Sequence, residues 1–152
     1  MSAKRLFALL VLTLVLAPLP LLAQQDALIV PGGAVGSIKL GDTREQVIAL
    51  MGKPELEGTD DTPNEINLQY FKKQMYYLVR SNKVHHIFVL SPSYRTKEGL
   101  GVGSSLNDVT NAMGSPKERK EGKLGPDLQY SGIRFMFNGE QVLGIEVTPS
   151  LK

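Results

Sequence analysis

One fifteen-residue pattern occurs twice in this chain. Leu40-Gly41-Asp42-Thr43-Arg44-Glu45-Gln46-Val47-Ile48-Ala49-Leu50-Met51-Gly52-Lys53-Pro54 returns 62 residues later as Val102-Gly103-Ser104-Ser105-Leu106-Asn107-Asp108-Val109-Thr110-Asn111-Ala112-Met113-Gly114-Ser115-Pro116. Each copy encodes a short helix with its own start and stop. Thr43 with Gln46, and more weakly Ser105 with Asp108, have capping-box spacing, in which two side chains satisfy free backbone N–H groups of the first turn. Val47, Leu50 and Met51 share one helical face, as do Leu106, Val109 and Met113. Gly52 and Gly114 supply the backbone reversal at the end, and Pro54 and Pro116 prevent continuation.

Two further blocks match in the same order. Leu68-Gln69-Tyr70 matches Leu128-Gln129-Tyr130 at an offset of 60, and Val84-x-x-Ile87-x-Val89 matches Val142-x-x-Ile145-x-Val147 at 58. Ordered matches with shrinking offsets predict a duplicated unit with altered loops. The repeats cover about residues 36–91 and 99–148. A unit of about 50 residues buries little core alone, so residues 24–152 are expected to form a single domain.

Residues 1–23 are expected to be an export signal. Lys4 and Arg5 precede an apolar run from Leu6 to Leu16, then Pro18, Pro20 and Leu21-Leu22-Ala23 lead to cleavage before Gln24. The apolar run of 11 residues is short for a membrane span, which takes about 20. Removing this segment takes away two of the 17 Lys and Arg and none of the 15 Asp and Glu. The mature chain is then neutral, which argues against nucleic acid as a partner. The sequence has no Cys, which excludes disulfides, thiolate catalysis, Cys-ligated zinc and a thioether lipid anchor. The expected location is the periplasm or the extracellular space, with envelope association as an option.

Each helix is followed by a polar loop, Glu55–Pro63 and Lys117–Pro126, and then by strands. Ile133–Phe137 and Glu140–Val147 flank Asn138-Gly139 as a two-residue hairpin turn, with Met75–Arg80, Ser81-Asn82 and Lys83–Leu90 as the counterpart. Strict alternation from these turns puts Met75, Tyr77, Val79, Val84, His86 and Phe88, with Ile133, Phe135, Phe137, Val142 and Glu146, on one face. The opposite face carries Tyr76, Leu78, His85, Ile87, Val89, Met136, Leu143, Ile145 and Val147. One short helix per unit covers one sheet face, and the more aliphatic face is the expected helix-facing core. The aromatic face is then either a partner surface or packed internally by the two units folding over one another. The expected partner-binding residues are Tyr77, His86, Phe88, Phe135, Phe137 and Glu146.

No motif points to catalysis. His85 and His86 are adjacent in a strand, so alternation directs them to opposite faces and away from a shared metal. Gly99–Ser104 lacks the Lys-Ser/Thr that completes a phosphate loop, and Gly103 aligns with Gly41 as a helix-entry turn. The acidic loop has no EF-hand spacing. The aromatic and lysine mixture at Tyr70–Tyr77 fits an amphipathic strand pair better than a single-strand nucleic-acid platform. No cofactor, no metal and no enzymatic activity are expected. The least favoured alternative is a small enzyme using carboxylates such as Glu146 in a sheet cleft.

The Gly-x-Thr-x-x-x-Val-x-x-x-Met-Gly-x-Pro helix of Gly41–Pro54, with its variant at Gly103–Pro116, resembles the BamE/SmpA family of outer-membrane assembly factors. Two such units in tandem resemble the β-lactamase-inhibitor-protein fold, in which two helix-plus-sheet repeats form one concave sheet that grips a protein. The resemblance implies an α+β fold with one continuous antiparallel sheet. It also implies a non-enzymatic module binding a protein partner, either as an inhibitor or as an envelope assembly component without a lipid anchor.

Overall fold

The computed structural model describes residues 27–59, 62 and 64–150. The expected export signal, residues 1–23, lies outside the described residues, as do Asp60, Asp61 and Pro63 of the acidic loop.

The chain is α+β and dominated by antiparallel sheet. A small sheet is formed by β1 (Leu28–Val30), β2 (Ala34–Val35), β3 (Ile38–Lys39) and the distant β8 (Arg95–Thr96), in the order β3-β2-β1-β8. Helix α1 (Arg44–Met51) leads into β4 (Leu56–Thr59), β5 (Glu65–Tyr70), β6 (Met75–Arg80) and β7 (Lys83–Val89). Helix α2 (Leu106–Met113) leads in the same way into β9 (Glu118–Glu121), β10 (Pro126–Tyr130), β11 (Ile133–Asn138) and β12 (Gln141–Val147). The two meanders join edge to edge through β7 and β12, giving one eight-stranded sheet in the order β4-β5-β6-β7-β12-β11-β10-β9.

The helices form where the sequence places them, and both capping boxes are closed. The Gln46 backbone N–H donates to Thr43 Oγ1 at 3.2 Å while the Thr43 N–H donates to Gln46 Oε1 at 2.7 Å. The Asp108 N–H donates to Ser105 Oγ at 3.0 Å and the Ser105 N–H to Asp108 Oδ2 at 2.9 Å. Gly52 and Gly114 end the helices at φ of 85° and 73°, where a side chain would be strained. A strand tyrosine then clamps each helix end. The Tyr70 hydroxyl donates to the Gly52 carbonyl at 2.8 Å, and the Tyr130 hydroxyl to the Gly114 carbonyl at 3.1 Å. These bonds put both helices on the same sheet face.

That face is the core. Val47 and Val109 pack there with Leu68, Tyr70, Met75, Tyr77, Val79, Val84, Ile87 and Val89, and with Leu128, Tyr130, Ile133, Phe135, Phe137, Val142, Ile145 and Val147. The small sheet adds Ile29, Val35 and Ile38. Its approach to the large sheet is a backbone crossing in which the Gly32 N–H donates to the Gly132 carbonyl at 2.8 Å. A Cβ on Gly132 would stand 2.4 Å from the Gly32 nitrogen, so only glycine admits the contact.

Several expectations are corrected here. Tyr77, Phe135 and Phe137, expected on a partner-facing surface, are 0%, 0% and 2% exposed and belong to the helix-covered core. The helices cover this face, and a β-bulge in each of β7 and β12 completes it with aliphatic residues that alternation puts on the other. Val79 pairs with Val84 but Leu78 pairs with His86, which leaves His85 as an extra residue. Phe137 pairs with Val142 but Met136 pairs with Gly144, which leaves Leu143 extra at the same place. One extra residue reverses the facing of everything beyond it. Ile87, Val89, Ile145 and Val147 therefore turn inward beside Tyr77 and Phe135, and His86, Phe88 and Glu146 turn to the other face.

The β11–β12 turn also lies one residue later than expected. Asn138 pairs with Gln141, so the turn is Gly139-Glu140 with Gly139 at φ 60°. The Ser81-Asn82 turn forms as expected, both residues having positive φ as a primed hairpin turn requires. Strands β4 and β9 occupy stretches read as polar loops. Neither has apolar alternation, because both are sheet edges held by their ladder to one neighbour.

Burial of Tyr77 and Phe135 fixes an expected outcome. Tyr77→Ala and Phe135→Ala should each lower unfolding free energy by about 3–5 kcal/mol, the range for truncating a buried aromatic, measured by urea denaturation. An acid limb is also expected. Hydrogen bonds from Arg44 hold the Glu57 carboxyl below its ordinary 4.5, and hydrogen bonds from Ser105 hold Asp108 below its ordinary 3.8. A carboxyl depressed in the folded state contributes stability that is complete above the unfolded value and is lost as pH falls through the folded one. Glu57→Gln and Asp108→Asn should each flatten the loss of stability below about pH 4.5, measured as unfolding midpoint against pH.

Candidate functional site

With both helices on one face, the opposite face of the eight-stranded sheet carries a row of side chains set by cross-strand pairing. Leu56 stands opposite Gln69, Gln69 opposite Tyr76, and Tyr76 opposite Phe88. Phe88 then faces Glu146 across the β7–β12 junction, Glu146 faces Arg134, and Arg134 faces Gln129. The half of the row on β4–β7 is uncharged, with Leu56 and two aromatic rings beside Gln69; the half on β9–β12 is polar. Phe71, in the turn after β5, meets the Tyr76 ring edge-on at 6.2 Å. Leu78 and Met136 flank the row.

Glu146 is the centre of this face. It is 3% exposed although it lies on the side away from the helices. Both carboxylate oxygens are engaged, Oε1 with His86 Nδ1 and Oε2 with Arg134 Nη2. His86 sits one diagonal step from Glu146, within reach across an antiparallel pair. Neutral imidazole with its proton on Nδ1 suffices to donate to the carboxylate. The His86 ring stacks on Phe88 at 6.2 Å and on His85 at 4.8 Å. The cluster spans β7, β11 and β12, so it fastens the two meanders where their backbone pairing is only three residues long.

The stacking of His85 on His86 corrects another expectation. Alternation directs the two rings to opposite faces, whereas the bulge at His85 brings them side by side. Burial and the neighbouring His86 hold His85 below the ordinary imidazole value. Among the described residues no group of three or more His, Asp and Glu side chains is placed to hold a metal.

Of the six residues expected at a partner surface, His86, Phe88 and Glu146 are brought together on the helix-free face. Tyr77, Phe135 and Phe137 are separated from them by the thickness of the sheet. Tyr76 and Arg134 were missed. Arg134 is the one charge inside Ile133-Arg134-Phe135-Met136-Phe137, and Glu146 the one charge inside Ile145-Glu146-Val147. Lone opposite charges in neighbouring apolar strands have few partners except each other, a signal that was present in the sequence.

Removal of Arg134 would leave Glu146 buried with His86 alone. Arg134→Met should therefore destabilise the protein by about 3 kcal/mol, the low end for breaking a buried pair because the arginine is half-exposed. The double variant Arg134→Met with Glu146→Gln should recover part of that loss, a non-additivity measured by a double-mutant cycle of denaturation curves.

No protein-family model matches the sequence, and no curated protein matches it significantly. Solved structures do match in fold. An extracellular protein containing a SCP domain from Bacillus anthracis aligns with a TM-score of 0.57 and 14% identity, over 72% of this chain and 44% of that one. A cysteine-rich secretory protein from Staphylococcus aureus aligns with a TM-score of 0.51 and 12% identity, over 83% of this chain and 49% of that one. The uncharacterized protein YfeY of Escherichia coli aligns with a TM-score of 0.50 and 14% identity, over 78% of this chain and 95% of that one. The chain thus spans less than half the length of the first two, and identities this low carry the fold alone. These neighbours overturn the resemblance to the BamE/SmpA family and to the β-lactamase-inhibitor fold. The shared motif specifies a capped short helix with a Gly-x-Pro stop, which any chain running from a short helix into a sheet can use.

Proposed function

We propose that this chain is an exported, non-enzymatic protein-binding module, built from a duplicated helix-plus-four-strand unit, that holds its protein partner on the helix-free sheet face. The observation that carries this reading is the row Tyr76–Phe88–Glu146–Arg134. It sets two half-buried aromatic rings beside an ion cluster whose carboxylate is already saturated. Aromatic anchors beside fixed polar groups are the composition of an interface centre. The saturated Glu146 positions its neighbours and is poorly disposed to act as a free acid or base.

Duplication is supported by correspondence in hydrogen bonding as well as in sequence. The capping boxes, the tyrosine clamps on Gly52 and Gly114, and the bulges at His85 and Leu143 recur at matching positions. Export is supported by the charge and hydropathy pattern of the first 25 residues, and by two fold neighbours, one an extracellular and the other a secretory protein. Neutrality of the mature chain favours a protein over a polyanion as the occupant.

A photo-cross-linking residue placed at Tyr76 or Phe88 of the mature protein, in its native envelope, should yield one discrete protein adduct. The same residue at exposed Leu124, which lies off this face, should not. Tyr76→Ser with Phe88→Ser should abolish the adduct formed from a cross-linker at Gln69, in the same row, while leaving the far-ultraviolet circular dichroism unchanged. Adducts from Leu124 alone, or adducts that survive the double substitution, would overturn the assignment of the face.

A further inference from the structure

The eight-stranded sheet ends in two edges at corresponding places, each a four-residue strand following a helix. They are chemically opposite. β9 is Glu118-Arg119-Lys120-Glu121, exposed at every residue. Ion pairs run along it, Arg119 Nε to Glu121 Oε1 at 2.6 Å and Lys120 Nζ to Glu118 Oε1 at 3.3 Å. A solvated row of charge protects an edge against uptake of another strand.

β4 is Leu56-Glu57-Gly58-Thr59 and has no such protection. Its single charge is drawn back onto α1, because Arg44 grips Glu57 with two parallel bonds, Nε to Oε1 at 2.8 Å and Nη2 to Oε2 at 2.7 Å. Leu56 is 49% exposed, and among the described residues nothing lies within 4 Å of where a Cβ on Gly58 would stand. Leu56 is also the first member of the row through Gln69 and Tyr76, and Phe71 beside Tyr76 is 48% exposed.

We propose that β4 is an acceptor edge: an extended, uncharged segment of the protein partner adds to it as a ninth strand, with an apolar side chain seated beside Leu56. The inference rests on the reading of the helix-free face, because the added strand lengthens the same row. With Glu57 already paired, Leu56–Thr59 itself offers no free charge, so an uncharged segment fits the strand. A second copy of this chain does not fit as the occupant. Pairing β4 with β4 engages four residues a side, against about 20–30 a side in a stable interface. A partner that also covers Tyr76 and Phe88 reaches that size, and strand addition lets main-chain bonds supply affinity while pockets supply specificity.

The test uses the mature protein and a defined probe, an acetylated and amidated peptide of alternating valine and threonine flanked by serines. Amide hydrogen exchange is read by NMR. At saturating peptide, exchange in residues 56–59 should slow by about tenfold or more while residues 118–121 are unchanged. Leu56→Lys with Thr59→Lys, which gives β4 the charge of β9, should abolish the slowing without moving the thermal midpoint, and Thr59→Lys alone should weaken it. No slowing at millimolar peptide, equal slowing at both edges, or slowing that survives the lysines would overturn the proposal. Tyr76→Ser with Phe88→Ser should keep peptide addition while losing the partner adduct. Adducts that persist from the face without peptide uptake at β4 defeat the edge alone; peptide uptake without adducts defeats the face alone.

Discussion

The architecture depends on two backbone bonds made twice. The Gly41 N–H donates to the Val84 carbonyl at 2.8 Å, and the Val84 N–H donates to the Asp42 carbonyl at 2.8 Å. In the second meander the Gly103 N–H donates to the Val142 carbonyl at 2.8 Å, and the Val142 N–H donates to the Ser104 carbonyl at 2.9 Å. The turn that starts each helix is thus fastened to the outer edge of the last strand of its own meander. Gly41 and Gly103 hold φ of 90° and 87° there, which a side chain would resist.

Those bonds divide the outer edges of β7 and β12. Near Val84 and Val142 each edge is occupied by an entry turn; only from Ile87–Val89 and Ile145–Val147 are the edges free to pair with one another. The bulges at His85 and Leu143 sit at the change of partner. By adding one residue, each bulge keeps Val84 or Val142 in the core with the helix and sends the following apolar pair into the core as well. The same step turns His86, Phe88 and Glu146 outward. A single local irregularity therefore fills the core and furnishes the opposite face.

The central ion cluster follows from that geometry. Phe88 and Glu146 stand opposite each other at the junction, and Tyr76 and Arg134 stand one strand further out on either side. One half of the row carries aromatic rings and the other a complementary pair of charges. The buried carboxylate is tolerable because both oxygens are bonded, and His86 reaches it from the other meander. The two edges show a similar division: charges on β9 stay in solvent, while the one charge on β4 is taken up by α1.

The sequence by itself determined both helices, their caps and stops, the tyrosine that follows each, and the two hairpins β6–β7 and β11–β12, because these are set by contacts among near neighbours. It also made the Ser81-Asn82 turn legible. It did not reveal the small sheet, whose β1 and β8 are far apart in the chain, or the edge strands β4 and β9, which carry no apolar alternation. It could not show that His86, Phe88 and Glu146 leave the face of Tyr77, Phe135 and Phe137. Strand periodicity is 2, so one unpaired residue inverts every assignment beyond it, and the reason for that residue lies in bonds between Val84 and a turn some 40 positions earlier. Which face is covered, which charges meet and which edge stays bare were decided only by tertiary structure, because each depends on register between distant segments.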